Sequence, residues 1–183
     1  LYILIVVLFI LNKRRIHELR NELGISWKPL FGKLTVPIII ALALLWLLIS
    51  GLVPLMTFTF QLPLTNILLI TYTLYPIAIS EEVVFRGFML SRLLPRTSSV
   101  NLVTALPAVI IDATYFTMAH VPVYLAVYGM DNLALLIYTL GYIFIYGIIS
   151  SIIFVSTRNV IPDIIVHWIN DYLSIITVIY LAH

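Results

Sequence analysis

No cysteine occurs in the chain, which excludes disulfides, thiolate metal ligands and a cysteine nucleophile. Charge is scarce as well: 10% of the 183 residues are Asp, Glu, Lys or Arg, against roughly a quarter in soluble domains. No polar stretch is long enough to build a soluble domain. What fills the chain instead is apolar, 62% of it, with a mean hydropathy of +1.13. That balance describes an integral membrane protein, and its length suits one all-α, polytopic bundle.

A spanning helix needs about 20 mostly apolar residues. Windows at 34–54, 63–90, 100–120, 133–155 and 160–181 meet that need. Residues 1–11 are equally apolar but too short to cross. Because the chain starts at Leu1, they are read as the end of a sixth span, with no basic region or small-residue cleavage site to mark a signal peptide. Two parts of one structural domain are expected: residues 1–62, with the N-terminal spans and a basic loop, and residues 63–182, the core.

The basic residues test the span count. Lys13, Arg14, Arg15, Arg20, Lys28 and Lys33 fall in the first loop, Arg92 and Arg96 in the third and Arg158 in the fifth, while Arg86 lies in the third span towards that same side. All ten share one face of the membrane, so the positive-inside rule puts the basic loops in the cytoplasm and His183 outside. Loops at 55–62 and 121–132 hold no Lys or Arg, and Pro95, Pro122 and Pro162 punctuate the connections. In the first loop Ile16, Leu19 and Leu23 recur at helical spacing among the basic residues, a pattern that suits anionic headgroups. Membrane lipids are the expected surroundings of this cell-membrane, multi-pass protein, and no nucleic-acid partner is expected.

Against that background, Glu81-Glu82 and Arg86 interrupt an apolar span. Charge in hydrocarbon is costly and usually faces a polar interior, so it marks a functional site by default. Glu82 and Arg86 are four apart and can pair on one helix face; Glu81 projects about 100° away and is left unexplained by that pair. The other polar groups in or beside the spans are Asp112, His120, Arg158, Asp163, His167, Asn170 and Asp171. Helical rise places Glu81 roughly 20 Å from the cytoplasmic end of its span, His120 roughly 30 Å, and His167 and Asp171 roughly 12 and 18 Å, so convergence requires helix tilt or protrusion.

Such a set supports two chemistries. A carboxylate can take a proton from water while an imidazole orients that water and further donors stabilise an oxyanion. Alternatively, two carboxylates and two imidazoles can hold a divalent cation that activates water. The His-Glu-x-x-His zinc helix, the Gly-x-Gly-Asp motif and the Gly-x-Ser-x-Gly elbow are all absent.

Glu81-Glu82-x-x-x-Arg86, Phe116-x-x-x-His120 and His167-x-x-x-Asp171 resemble, in order and each on its own span, the EExxxR, FxxxH and HxxxN/D motifs of the CAAX-protease and bacteriocin-processing (CPBP, or Abi) membrane family. The resemblance covers about residues 63–181. It implies an all-helical intramembrane endopeptidase with a CAAX-protease-like core, acting on a peptide or a lipidated protein, CAAX-like or of bacteriocin type. Carried over, Glu81 becomes the general base, His120 its partner in activating water, and His167 and Asp171 the oxyanion site. Glu82, Arg86 and Asn170 become supporting residues. Asp171 stands where Asn is the better donor, so it must be protonated, orient His167, bind a metal, or leave the role to Asn170. No obligatory cofactor is expected; if a metal such as zinc is used, the candidate ligands are Glu81, His120, His167 and Asp171. The rival readings are a noncatalytic immunity or scaffold protein of the same fold and a proton-coupled transporter.

Overall fold

The structure, a computed structural model, describes residues 64–95 and 102–181, and every regular element among them is helical. The expected N-terminal part, with its span at 34–54, its partial span at 1–11 and its basic loop, lies outside the described residues, as does His183.

Helix α1, Leu64–Glu82, runs without a break into a π-helical stretch, Val83–Leu90, and a single turn α2, Ser91–Leu93. Helices α3, Leu102–Tyr128, α4, Leu133–Thr157, and α5, Ile161–Leu181, complete the bundle. Three rods, Thr65–Leu93, Leu102–Tyr128 and Leu133–Thr157, are long and apolar enough to cross a membrane. Their outward faces carry Leu68, Tyr72, Val103, Tyr115, Ile137 and Ile145. A protein exposing this much apolar side chain is solvated by lipid rather than by water.

One boundary differs from the sequence reading. The loop expected at 121–132 is mostly helix, because α3 continues through Pro122 to Tyr128. A proline inside a helix removes one backbone hydrogen bond, a loss that spanning helices tolerate where neighbours compensate. Pro162 likewise sits in the first turn of α5, where the missing N–H is not needed. The chain reverses after α3 at Gly129, whose φ of 64° lies in the left-handed region that glycine enters without strain.

Helix α3 packs along α4, and α1 along α5. On α3 the buried stripe is Ala105, Ala108, Val109, Asp112, Ala113 and Phe116, a helical repeat built largely of small residues. It meets Gly147 on α4, where a Cβ would lie 3.1 Å from the Ala113 Cα. Small residues at this contact let the backbones approach, which is how helices associate where no hydrophobic effect drives them together.

A core of Leu90, Leu94, Ala105, Phe154, Val160 and Ile164 ties the end of the first rod and the start of α3 to the α4–α5 turn. Arg92 and Arg158 therefore lie at the same end of the bundle. The turn is short because Arg158 adopts a left-handed conformation (φ 52°) that closes α4, and the Asn159 Oδ1 accepts the Ile161 N–H at 3.1 Å as α5 begins.

Candidate active site

The four residues singled out from three separate motifs come together. Glu81 Oε2 lies 3.5 Å from His120 Nε2 and 3.8 Å from His167 Nε2, and Asp171 Oδ2 lies 3.5 Å from the same His167 nitrogen. Helix α1 delivers Glu81, α3 delivers His120, and α5 delivers the His167–Asp171 pair one turn apart. Glu81, His120 and Asp171 keep 18%, 20% and 26% of their side-chain surface open. Glu82 and Arg86 keep none. An accessible upper layer thus rests on a sealed polar floor.

Hydrogen bonds fix the faces of both imidazoles. The Phe116 carbonyl, one turn back on α3, lies 2.8 Å from His120 Nδ1. A carbonyl only accepts, so Nδ1 carries the hydrogen, and in the neutral ring Nε2 presents its lone pair towards Glu81. His167 Nδ1 lies 2.7 Å from Glu82 Oε1. With Glu82 beside Arg86, that nitrogen is also the donor, and Nε2 again faces Glu81 and Asp171.

Phe116 does more than anchor His120. Its ring packs against the rings of His120 at 4.6 Å, His167 at 5.8 Å and Phe85 at 5.1 Å between centroids, and the Arg86 guanidinium sits 4.3 Å above it. One aromatic side chain therefore spaces both imidazoles and caps the buried cation.

Below lies the polar floor. Arg86 Nε is 3.2 Å from Glu82 Oε2, the expected i,i+4 pair, and 3.5 Å from Asp112 Oδ2 on α3. The guanidinium also donates to the Gly147 carbonyl at 3.3 Å. Ser151 Oγ lies 2.8 Å from Asp112 Oδ2, and Ser150 Oγ lies 3.1 Å from Glu82 Oε2 and 3.2 Å from Asp163 Oδ1. The π-helical stretch begins directly after Glu82, and its wider turn sets where Arg86 and Gly87 enter this layer.

Asp112, two turns before His120 on α3, does not join it and belongs to the floor with Arg86. Asn170 Oδ1 accepts from the Tyr142 hydroxyl, and the same side chain is hydrogen-bonded to Asp171 in the open layer. Arg158 is exposed at the end of α4. The α4 contribution of Tyr146, Gly147, Ser150 and Ser151 was not foreseen. Its only trace in the sequence is a set of small and polar residues one turn apart in a run otherwise rich in Ile.

Among the described residues no set of three or more His, Asp or Glu side chains has the spacing to hold a metal ion. Comparison with protein-family models matches residues 63–173 to the Type II CAAX prenyl endopeptidase Rce1-like family. No curated protein and no solved structure matches the chain.

Proposed function

The chain belongs to the Rce1-like family of type II CAAX prenyl endopeptidases, a family of membrane proteases, and on that premise we propose that it hydrolyses a peptide bond of a membrane-held substrate with water activated by Glu81 and His120. The observation that carries the reading is the facing of two proton acceptors, Glu81 Oε2 and His120 Nε2, at 3.5 Å. That gap lets one water donate to both and aim a lone pair at a carbonyl carbon. Glu81 takes the proton as the water attacks and returns it to the leaving amine, the two halves of general acid–base catalysis.

The oxyanion falls to His167 and Asp171. Because Nδ1 of His167 is committed to Glu82, its Nε2 donates only when the ring is an imidazolium. Glu82 is placed to stabilise that cation, and a cation aimed at developing negative charge is a strong oxyanion stabiliser. Asp171 serves as a protonated donor beside it, since an ionised carboxylate would repel the oxyanion. Asn170 is assigned a supporting role, held by Tyr142 and hydrogen-bonded to Asp171. No step here is routed through a metal ion.

The basic end of the bundle, with Arg92 and Arg158, is assigned to the cytoplasm, in a multi-pass arrangement. Prenylated, CAAX-like C-termini are the first substrates to try, with membrane-anchored and bacteriocin-type peptides beside them. Purified protein should cleave at least one of these, and His120→Ala should cut its turnover by about a hundredfold. Equal turnover by His120→Ala would remove the two-acceptor mechanism, and a wild type inert on the whole panel would favour the scaffold alternative.

A further inference from the structure

The floor of the site holds more acid than base. Glu82, Asp112 and Asp163 are wholly buried, and Arg86 is the one wholly buried cation among the described residues. Were all three carboxyls ionised, negative charge would remain uncompensated in a membrane-embedded interior even with His167 as the imidazolium, at a cost of several kcal/mol. Glu82 holds Arg86 at the shortest distance, 3.2 Å, and also faces His167, so Glu82 keeps the charge. Asp112 keeps Arg86 at 3.5 Å, so Asp163 is the acid to carry a proton.

Hydrogen counting at Ser150 gives Asp163 a direction. The Ser150 hydroxyl has one hydrogen, yet its oxygen lies 3.1 Å from Glu82 Oε2 and 3.2 Å from Asp163 Oδ1. It can donate to one carboxyl only, so it must accept from the other for both contacts to be hydrogen bonds. The ionised Glu82 cannot donate. Asp163 can, if it is the neutral acid. Its Oδ2 has no partner, a modest cost for a carbonyl oxygen and a large one for a buried carboxylate. Asp163 also sits in the first turn of α5, where the helix dipole favours an anion by about 0.3–1 kcal/mol. That is too small to offset the burial of an unpaired charge.

We propose that Asp163 is a positioning residue for His167: as a neutral acid it donates to the Ser150 hydroxyl, which donates to Glu82 Oε2, holding the carboxylate whose other oxygen orients His167. The chain runs Asp163, Ser150, Glu82, His167, and joins the first turn of α5 to the candidate oxyanion site on the same helix through α4 and α1. The titratable groups facing Asp163 are Glu82 from α1, Arg86 from the π-helical stretch, Asp112 from α3 and Tyr146 from α4, with His167 one turn along α5. The inference rests on the peptidase reading for its effect on turnover, but not for its protonation state.

The test compares Asp163→Ala, Asp163→Asn and Ser150→Ala as full chains in lipid nanodiscs, with a CAAX-like lipidated peptide cleaved by the wild type. Asp163→Ala and Ser150→Ala should lower kcat by about ten- to hundredfold with KM little changed, the worth of one hydrogen bond to a charged group. Asp163→Asn, a neutral donor of the same shape, should recover at least about tenfold over Asp163→Ala. The infrared band of a protonated carboxyl should be present in the wild type and lost in Asp163→Asn. If Asp163→Asn is no better than Asp163→Ala while both melt as the wild type does, or if no such band is lost, the inference is overturned. If instead Glu81→Gln keeps wild-type turnover, the peptidase reading fails, and the infrared comparison still decides the state of Asp163.

Discussion

His167 and Glu82, 85 residues apart in sequence, meet at 2.7 Å between Nδ1 and Oε1 in a part of the bundle closed to solvent. The contact gives the second carboxylate of the acidic pair a task beyond its ion pair with Arg86. Glu82 holds a cation with one oxygen and aims an imidazole with the other, while Glu81 faces the open layer. Two adjacent residues of one type thus divide between floor and site because successive helical side chains point about 100° apart.

Removing the cation tests the floor. Arg86→Ala leaves Glu82 buried without its partner, and should destabilise the protein by about 3–5 kcal/mol. The double variant Glu82→Gln with Arg86→Met should regain much of the melting temperature but not turnover, since His167 still lacks its carboxylate. Melting curves and turnover on the same preparations separate the two effects. Recovery of both would deny Glu82 a part in orienting His167.

Gly147 offers a purely steric test. A Cβ there lies 3.1 and 3.2 Å from the Cα and Cβ of Ala113, so backbone would have to move. Gly147→Ala should destabilise by about 1–3 kcal/mol, the usual range for overpacking. Ala113→Gly in the same chain should relieve part of that loss. An unchanged melting temperature in Gly147→Ala would mean that the α3–α4 contact is looser than described.

These tests also mark what the sequence could and could not reveal. Glu81, Glu82, Arg86, His120, His167 and Asp171 stand out because ionisable residues are rare in apolar spans, and their motif spacing resembles one family. Their convergence required the tilt and packing of four rods, which rise per residue alone left scattered over roughly 10–30 Å. Ser150, Ser151 and Gly147 were silent because small residues in an Ile-rich helix read equally well as ordinary packing. The loop expected at Pro122 was misplaced for a related reason: proline ends most helices in water but is tolerated within spanning ones.

Asp171 separates its possible roles by substitution. As a protonated donor it should be replaced well by Asn, so Asp171→Asn should exceed Asp171→Ala in turnover by at least about tenfold. Relative to the wild type, Asp171→Asn should gain as pH rises, because the amide has no proton to lose. If both variants are equally inactive and equally well folded, Asp171 acts as an anion and orients His167 instead.

Metal removal gives a further check. Turnover in the presence of a strong chelator should match that without it, since the reading routes no step through an ion. Loss of activity on chelation, restored by a single divalent ion, would move Glu81, His120, His167 and Asp171 into a ligand set.

The central claim is that Glu81 activates water, and the most direct measurement is single-turnover cleavage of a lipidated peptide by Glu81→Gln. The amide keeps the size and shape of the side chain but cannot take the proton, so the rate should fall by at least about a hundredfold with folding and substrate binding retained. A Glu81→Gln protein that cleaves at the wild-type rate would contradict the account.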